Sequence, residues 1–124
     1  MAHVPILRQR GYLIATLQSA ITDREAEELQ DELMENVTRF RARGVVVDVT
    51  VLDVLDSFAA RTLRTIAYTT KLRGAYTVLV GVQPEVAFSM VRLGITMEHV
   101  YTALDLEEGL TFLDQLIRRR PTTG

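Results

Sequence analysis

The run Gly44-Val45-Val46-Val47-Asp48-Val49 constrains this chain more than any other stretch. Its valines are β-branched and nearly continuous, which favours an extended backbone. Successive strand side chains point to opposite faces, so a strand that is apolar at almost every position belongs in the middle of a sheet, covered wholly or partly on both sides. Cover of that kind comes from helices, and the patterns on either side of the run supply them.

Upstream, Tyr12 to Leu17 reads as a strand paired with a short one at Val4 to Leu7, with Gly11 providing the turn. Thr22 and Glu25 have capping-box spacing, and Ala26, Leu29, Leu33, Val37 and Phe40 then recur at helical steps until Gly44 ends the pattern. Downstream, Asp56 caps a second helix that turns Ala59, Leu63, Ile66, Ala67 and Thr70 inward and stops at Gly74. Thr77 to Val82 is the next strand. Pro84 opens a third helix with Val86, Ala87, Met90 and Val91 inward and Gly94 as its stop. A short strand follows near Val100 and Tyr101. Asp105 caps a last helix burying Leu106, Leu110, Leu113 and Ile117, with Arg118, Arg119 and Arg120 complementing its C-terminal dipole. Gly109 inside that helix costs about 1 kcal/mol relative to Ala, and the sequence offers no reason for it. The order ββαβαβαβα predicts an α/β fold: a mixed, mostly parallel sheet with an N-terminal β-hairpin and four helices.

The chain has 124 residues and is 48% hydrophobic, enough for one domain, expected over residues 1–120 with a disordered polar tail at 121–124. Sixteen acidic and fourteen basic side chains leave a net charge of -2, so bulk attraction to nucleic acid or to an anionic membrane is not expected. A protein or a small molecule is the more natural partner. The chain has no cysteine, which removes disulfides, thiolate catalysis and cysteine-ligated metal and fits a cytoplasmic location. There is neither a signal-peptide core nor an apolar run approaching the roughly 20 residues of a membrane span.

No residue pattern points to an enzyme. His3 and His99 have no serine or acid at triad-like spacing. Asp48, Asp53 and Asp56 could hold a hard cation, but a solvated loop with one helix cap accounts for them more simply. Neither a dinucleotide fingerprint nor a phosphate loop occurs, and Gly81 reads as a strand-end glycine. No cofactor is implied. A receiver domain needs an acid pair after its first strand and a lysine after its last, and both are missing. Ser57 is different. With Asp56 available as the cap, its hydroxyl is left free at a helix N-terminus, where the backbone favours added negative charge. Arg61 lies one turn on, on the same face, placed to pair with a phosphate. A serine at a helix start is by itself more simply a cap; these two features, with the resemblance given next, turn the reading of Ser57 toward a phosphorylation switch.

V-V-V-D-V-T, D-S-F-A-A-R, L-R-G-A-Y-T-V-L-V-G-V-Q-P-E-V-A, L-G-I and A-L-D-L-E-E-G-L together resemble the STAS domain of anti-sigma-factor antagonists, and among these the antagonists of stressosomes. The resemblance runs from Ile6 to Leu110. It implies a scaffold without activity of its own, which assembles with itself and with a sensory STAS co-antagonist paralogue. Together they sequester a serine/threonine switch kinase of the histidine-kinase-like ATPase fold, in stress signalling that reaches a sigma factor or a second messenger. The family's acceptor serine falls on Ser57, with Ser89 as a secondary candidate. Asp53, Asp56, Phe58, Arg61, Arg64 and Tyr68 are the expected partner-binding residues, although the arginines also fit a solvated helix face. The alternatives are a stand-alone antagonist that binds an anti-sigma factor, or a small nucleotide-sensing STAS module.

Overall fold

In the computed structural model, β3 (Gly44–Asp48) is the middle strand of five, and its side chains alternate between two separate apolar cores. The structure describes residues 4–119, so the expectations placed on His3, Arg120 and the 121–124 tail lie outside the described residues. Val45, Val47 and Val49 enter one core and Val46 the other. The sheet order is β1 (Ile6–Gln9), β2 (Tyr12–Thr16), β3, β4 (Tyr76–Val80) and β5 (Val100–Ala103). β1 and β2 pair antiparallel, and every other pairing is parallel. Arg10 and Gly11, both at positive φ (55° and 80°), form the two-residue turn of the hairpin.

Helices α1 (Asp23–Phe40), α2 (Ser57–Leu72) and α3 (Pro84–Arg92) contribute side chains to the first core, among them Leu33, Ile66 and Val86. The other face is covered by α4 (Leu106–Arg119) through Leu110 and Leu113. The capping box at Thr22 and Glu25 is present, with both hydrogen bonds made.

Four sequence expectations need correction. The first helix ends at Phe40 with Arg41 as its cap at φ 51°, so Gly44 is not its stop. Gly44 opens β3, where a Cβ would lie 2.9 Å from a methyl of Leu113. Phe40 is not core: its ring lies at the surface under the Arg8 and Arg39 guanidiniums. Ala87 and Val91 line an open cleft of about 550 Å3 between α3 and the start of α4, leaving only Val86 and Met90 of α3 buried. Leu106 and Ile117 are half-buried at the edge of the second core.

Gly109 now has an explanation. A Cβ there would sit 2.7 Å from the Cγ1 of Val80, so the glycine lets α4 lie close on the sheet. Gly109→Ala should therefore destabilise the fold. Overpacking costs about 1–3 kcal/mol, against about 1 kcal/mol gained in helix propensity. A denaturation midpoint that rises in this variant would contradict the packing argument.

On the same face the buried Tyr12 hydroxyl donates to the Asp114 carboxylate. Burial first, and that hydrogen bond second, push the Tyr12 phenol from 10.0 up to about 12. The folded state thus keeps this proton in a range where the unfolded chain loses it, and stability falls as pH rises from 10.0 through about 12. Tyr12→Phe should flatten this part of the stability profile, as read by urea denaturation across alkaline pH.

Candidate functional site

At the carboxyl end of β3 the chain must turn back over the sheet edge before α2 begins, and three apolar side chains fix how it does so. Val49, Leu52 and Leu55 are buried in the first core. Between them the polar groups are satisfied locally. The Asp48 carboxylate accepts from the Thr50 backbone at 2.9 Å and from the Thr50 hydroxyl at 2.6 Å. Thr50 in turn accepts, through its carbonyl, from the Gln83 amide at 2.6 Å. Gly81, at φ 78°, lets the β4–α3 connection approach closely: a Cβ there would fall 2.0 Å from the Thr50 hydroxyl oxygen. The glycine serves contact between two loops, in keeping with its strand-end reading.

This latch delivers Asp56 and Ser57 to the start of α2. Asp56 is the N-cap, with extended backbone, and its carboxylate accepts from the Ala59 N–H at 2.8 Å. Ser57 is the first residue of the helix. The sequence suggests a freely exposed hydroxyl, whereas Ser57 is half-buried. Arg61 lies over it, and its guanidinium donates to the Ser57 Oγ at 3.4 Å. The one-turn spacing thus brings the two together as predicted. An arginine cannot accept the hydroxyl proton, so this contact does not prepare Ser57 for nucleophilic attack.

The other candidates are distributed along and beside α2. Phe58 and Asp53 are exposed, and Val51 (62% exposed) and Val54 (59%) form an apolar patch on the same loop. Arg64 is half-buried and tied to the α3–β5 connection, donating to the Thr96 carbonyl at 3.3 Å. Tyr68 stacks on His99, with ring centroids 5.2 Å apart, and with Arg64 and Glu98 these residues line a cleft of about 430 Å3. Ser89 is an exposed residue of α3, away from the α2 N-terminus in sequence and on a different helix. Asp48, Asp53 and Asp56 do not converge: among the described residues no group of three or more His, Cys, Asp or Glu is arranged to hold a metal.

Sequence reasoning missed the Thr50–Gln83 latch, the apolar pair Val51 and Val54, and the Tyr68–His99 stack. Gln83 occupies the N-cap position of α3 without a side-chain cap bond, and its amide N–H donates instead to the Thr50 carbonyl, a partner 33 residues away that no local pattern signals.

The STAS domain family model matches residues 3–108. The RsbT co-antagonist protein RsbRA of Bacillus subtilis (strain 168) is 29% identical over 112 residues, which span 90% of this chain and 41% of that protein. The chain thus covers about two fifths of the length of the curated relatives it matches. Among solved structures, a Ser→Glu variant of RsbS from Moorella thermoacetica superposes with a TM-score of 0.81 at 33% identity, covering 94% of this chain and 99% of that one. A chain of the stressosome, described as a signal integration and transduction hub, gives a TM-score of 0.77 at 33% identity, covering 92% of this chain and 99% of that one. With the five-stranded mixed sheet, its N-terminal hairpin and the match over most of its length, the chain belongs to the STAS domain family.

Proposed function

We propose that this protein is a non-catalytic scaffold and antagonist of a stressosome-type assembly, which holds a serine/threonine switch kinase and lets it go when Ser57 is phosphorylated. The observation that carries this reading is the pairing of Ser57 with Arg61 at the N-terminus of α2. The hydroxyl has a cation beside it and helix N–H groups beneath it, an environment that suits an incoming phosphoryl group better than it suits catalysis by the serine itself.

In the transfer, the Ser57 oxygen forms a bond to the γ-phosphorus of ATP as the bond to ADP breaks, and the hydroxyl proton leaves to the kinase or to solvent. The product adds about -1.5 to -2 charges at pH 7. Arg61 and the α2 dipole favour those charges, the dipole by roughly 0.3–1 kcal/mol. The Asp56 carboxylate next to Ser57 opposes them. The balance lets the scaffold keep its fold while its surface becomes more negative.

Support for the wider reading comes from the relatives. RsbRA is an RsbT co-antagonist protein, and the stressosome is a signal integration and transduction hub. The RsbS structure carries glutamate in place of a serine, a substitution with the charge sign of a phosphate. Co-assembly with a sensory STAS paralogue and self-association follow from the same likeness. Among the described residues no helix is long and apolar enough to cross a membrane. The exposed residues Asp53, Phe58 and Arg61, together with Val51 and Val54, form the surface offered to the kinase.

Ser57→Ala should melt at nearly the wild-type temperature, because Asp56 keeps the helix cap, and should accept no phosphate from the cognate kinase. Intact-mass spectrometry after incubation with kinase and ATP reads this directly. Undiminished incorporation in the variant would remove Ser57 as the acceptor and direct the search to Ser89.

A further inference from the structure

Helix α3 is short, and of its residues only Val86 and Met90 are buried. The small Ala87, next to Val86, helps to line the cleft of about 550 Å3 that lies between α3, β5 and the start of α4. The floor of this cleft reaches the first core through Leu79 (2% exposed) and Met90 (8%). Its walls are apolar as well: Val91 and Leu104 stand largely in solvent, with Ile95 and Met97 beside them. Met90 and Met97 are flexible thioethers, which adapt to the shape of what they touch. The cleft is separate from the surface offered to the kinase, since Val51, Asp53, Val54, Phe58 and Arg61 do not line it.

Thr102 and Glu108 are the polar side chains of the lining, and among the described residues Glu108 is its one charged group. The Glu108 carboxylate accepts from the Leu104 N–H at 3.3 Å, and the Asp105 carboxylate accepts from the Glu108 N–H at 2.8 Å. These bonds cap α4, but a cap requires only an acceptor oxygen, not a charge. Asp105 and Glu107 are exposed beside Glu108. Three carboxylates outweigh the roughly half positive charge of a helix N-terminus, so this end of the cleft is negative. Arg92, in the last turn of α3, does not line it.

We propose that this cleft binds a small cationic amphiphile, with an aryl or alkyl body against Leu79, Met90 and Ile95 and a protonated amine at Glu108. Small-molecule sites span about 300–1,000 Å3 and are mostly apolar, with a few polar groups that fix the ligand's orientation. The cleft matches that description in volume and lining. A stable protein interface takes about 20–30 residues a side, more than line this cleft. An anionic amphiphile such as a fatty acid would bring its head group against the Glu108 carboxylate, and like charges placed together oppose binding.

NMR titration of the full chain, isotope-labelled at the methionine methyl groups, with phenylbutylamine tests this, and phenylbutyrate supplies the same body with the opposite charge. The Met90 and Met97 signals should shift and saturate, whereas Met34 of α1, which does not line the cleft, should stay in place. The amine should bind at least about threefold more tightly than the carboxylate, as expected for one exposed charge pair. Glu108→Gln keeps an oxygen for the Leu104 N–H, so it should bring the two affinities together without moving the melting temperature. Ala87→Trp should fill the cleft and abolish binding of both probes. Equal affinity for amine and carboxylate in the unaltered protein would overturn the proposal, as would failure of both to bind at millimolar concentration. Binding that persists in Ala87→Trp, or that shifts Met34 as much as Met90 and Met97, would place the ligand elsewhere and overturn it too. Shifts of Met90 and Met97 with protein concentration alone would show a second copy covering the cleft, with the same consequence.

Discussion

Burial of β3 on both faces is the constraint on which the rest of the structure depends. Val45, Val47 and Val49 on one side and Val46 on the other oblige the chain to build two cores. One is closed by α1, α2 and α3 and the other by α4. The cover on the second face is a single helix, which explains why α4 must sit so close. Gly109 against Val80, and Leu113 against Gly44, are the two points where a missing side chain allows it. Two glycines that look like punctuation in the sequence are packing devices in the fold.

The same strand sets the position of Ser57, the switch residue of the proposed function. β3 leads directly into Asp48, whose bonds to Thr50 fold the loop back, and Gln83 clamps that loop to the next crossover. Val49, Leu52 and Leu55 hold it down from beneath. Ser57 thus follows a loop that is hydrogen-bonded above and packed on the core below. A phosphate changes the charge of a surface that already has Asp53 and Asp56 exposed, next to the apolar pair Val51 and Val54. Any partner that docks there must desolvate that charge, and a surface matched to a neutral hydroxyl loses affinity for it.

Much of this was legible in the sequence, for identifiable reasons. Among the described residues the four helices and the inner strands follow from apolar periodicity, whereas the first strand, expected at Val4 to Leu7, runs from Ile6 to Gln9, because the tight turn is Arg10-Gly11 and pairing continues up to it. The Thr22 and Asp56 caps were readable because capping is local, as was the pairing of Ser57 with Arg61, which depends only on helical spacing. The failures involve partners distant in sequence. Phe40 fits an apolar stripe, but its exposure depends on Arg8, and the Val91 surface depends on where β5 and α4 leave a cleft. The Thr50–Gln83 latch joins residues 33 apart, so no local pattern announces it.

The central claim is that a phosphate on Ser57 is tolerated by this fold and rejected by the kinase. Calorimetry of kinase binding to the unmodified and the Ser57-phosphorylated protein, run beside thermal melts of both, tests it most directly. The account predicts unchanged helix content, a melting temperature that is equal or slightly higher, and kinase affinity lowered by at least about tenfold, or about 1.4 kcal/mol. Equal affinity for the two forms, or loss of helix on phosphorylation, would contradict it.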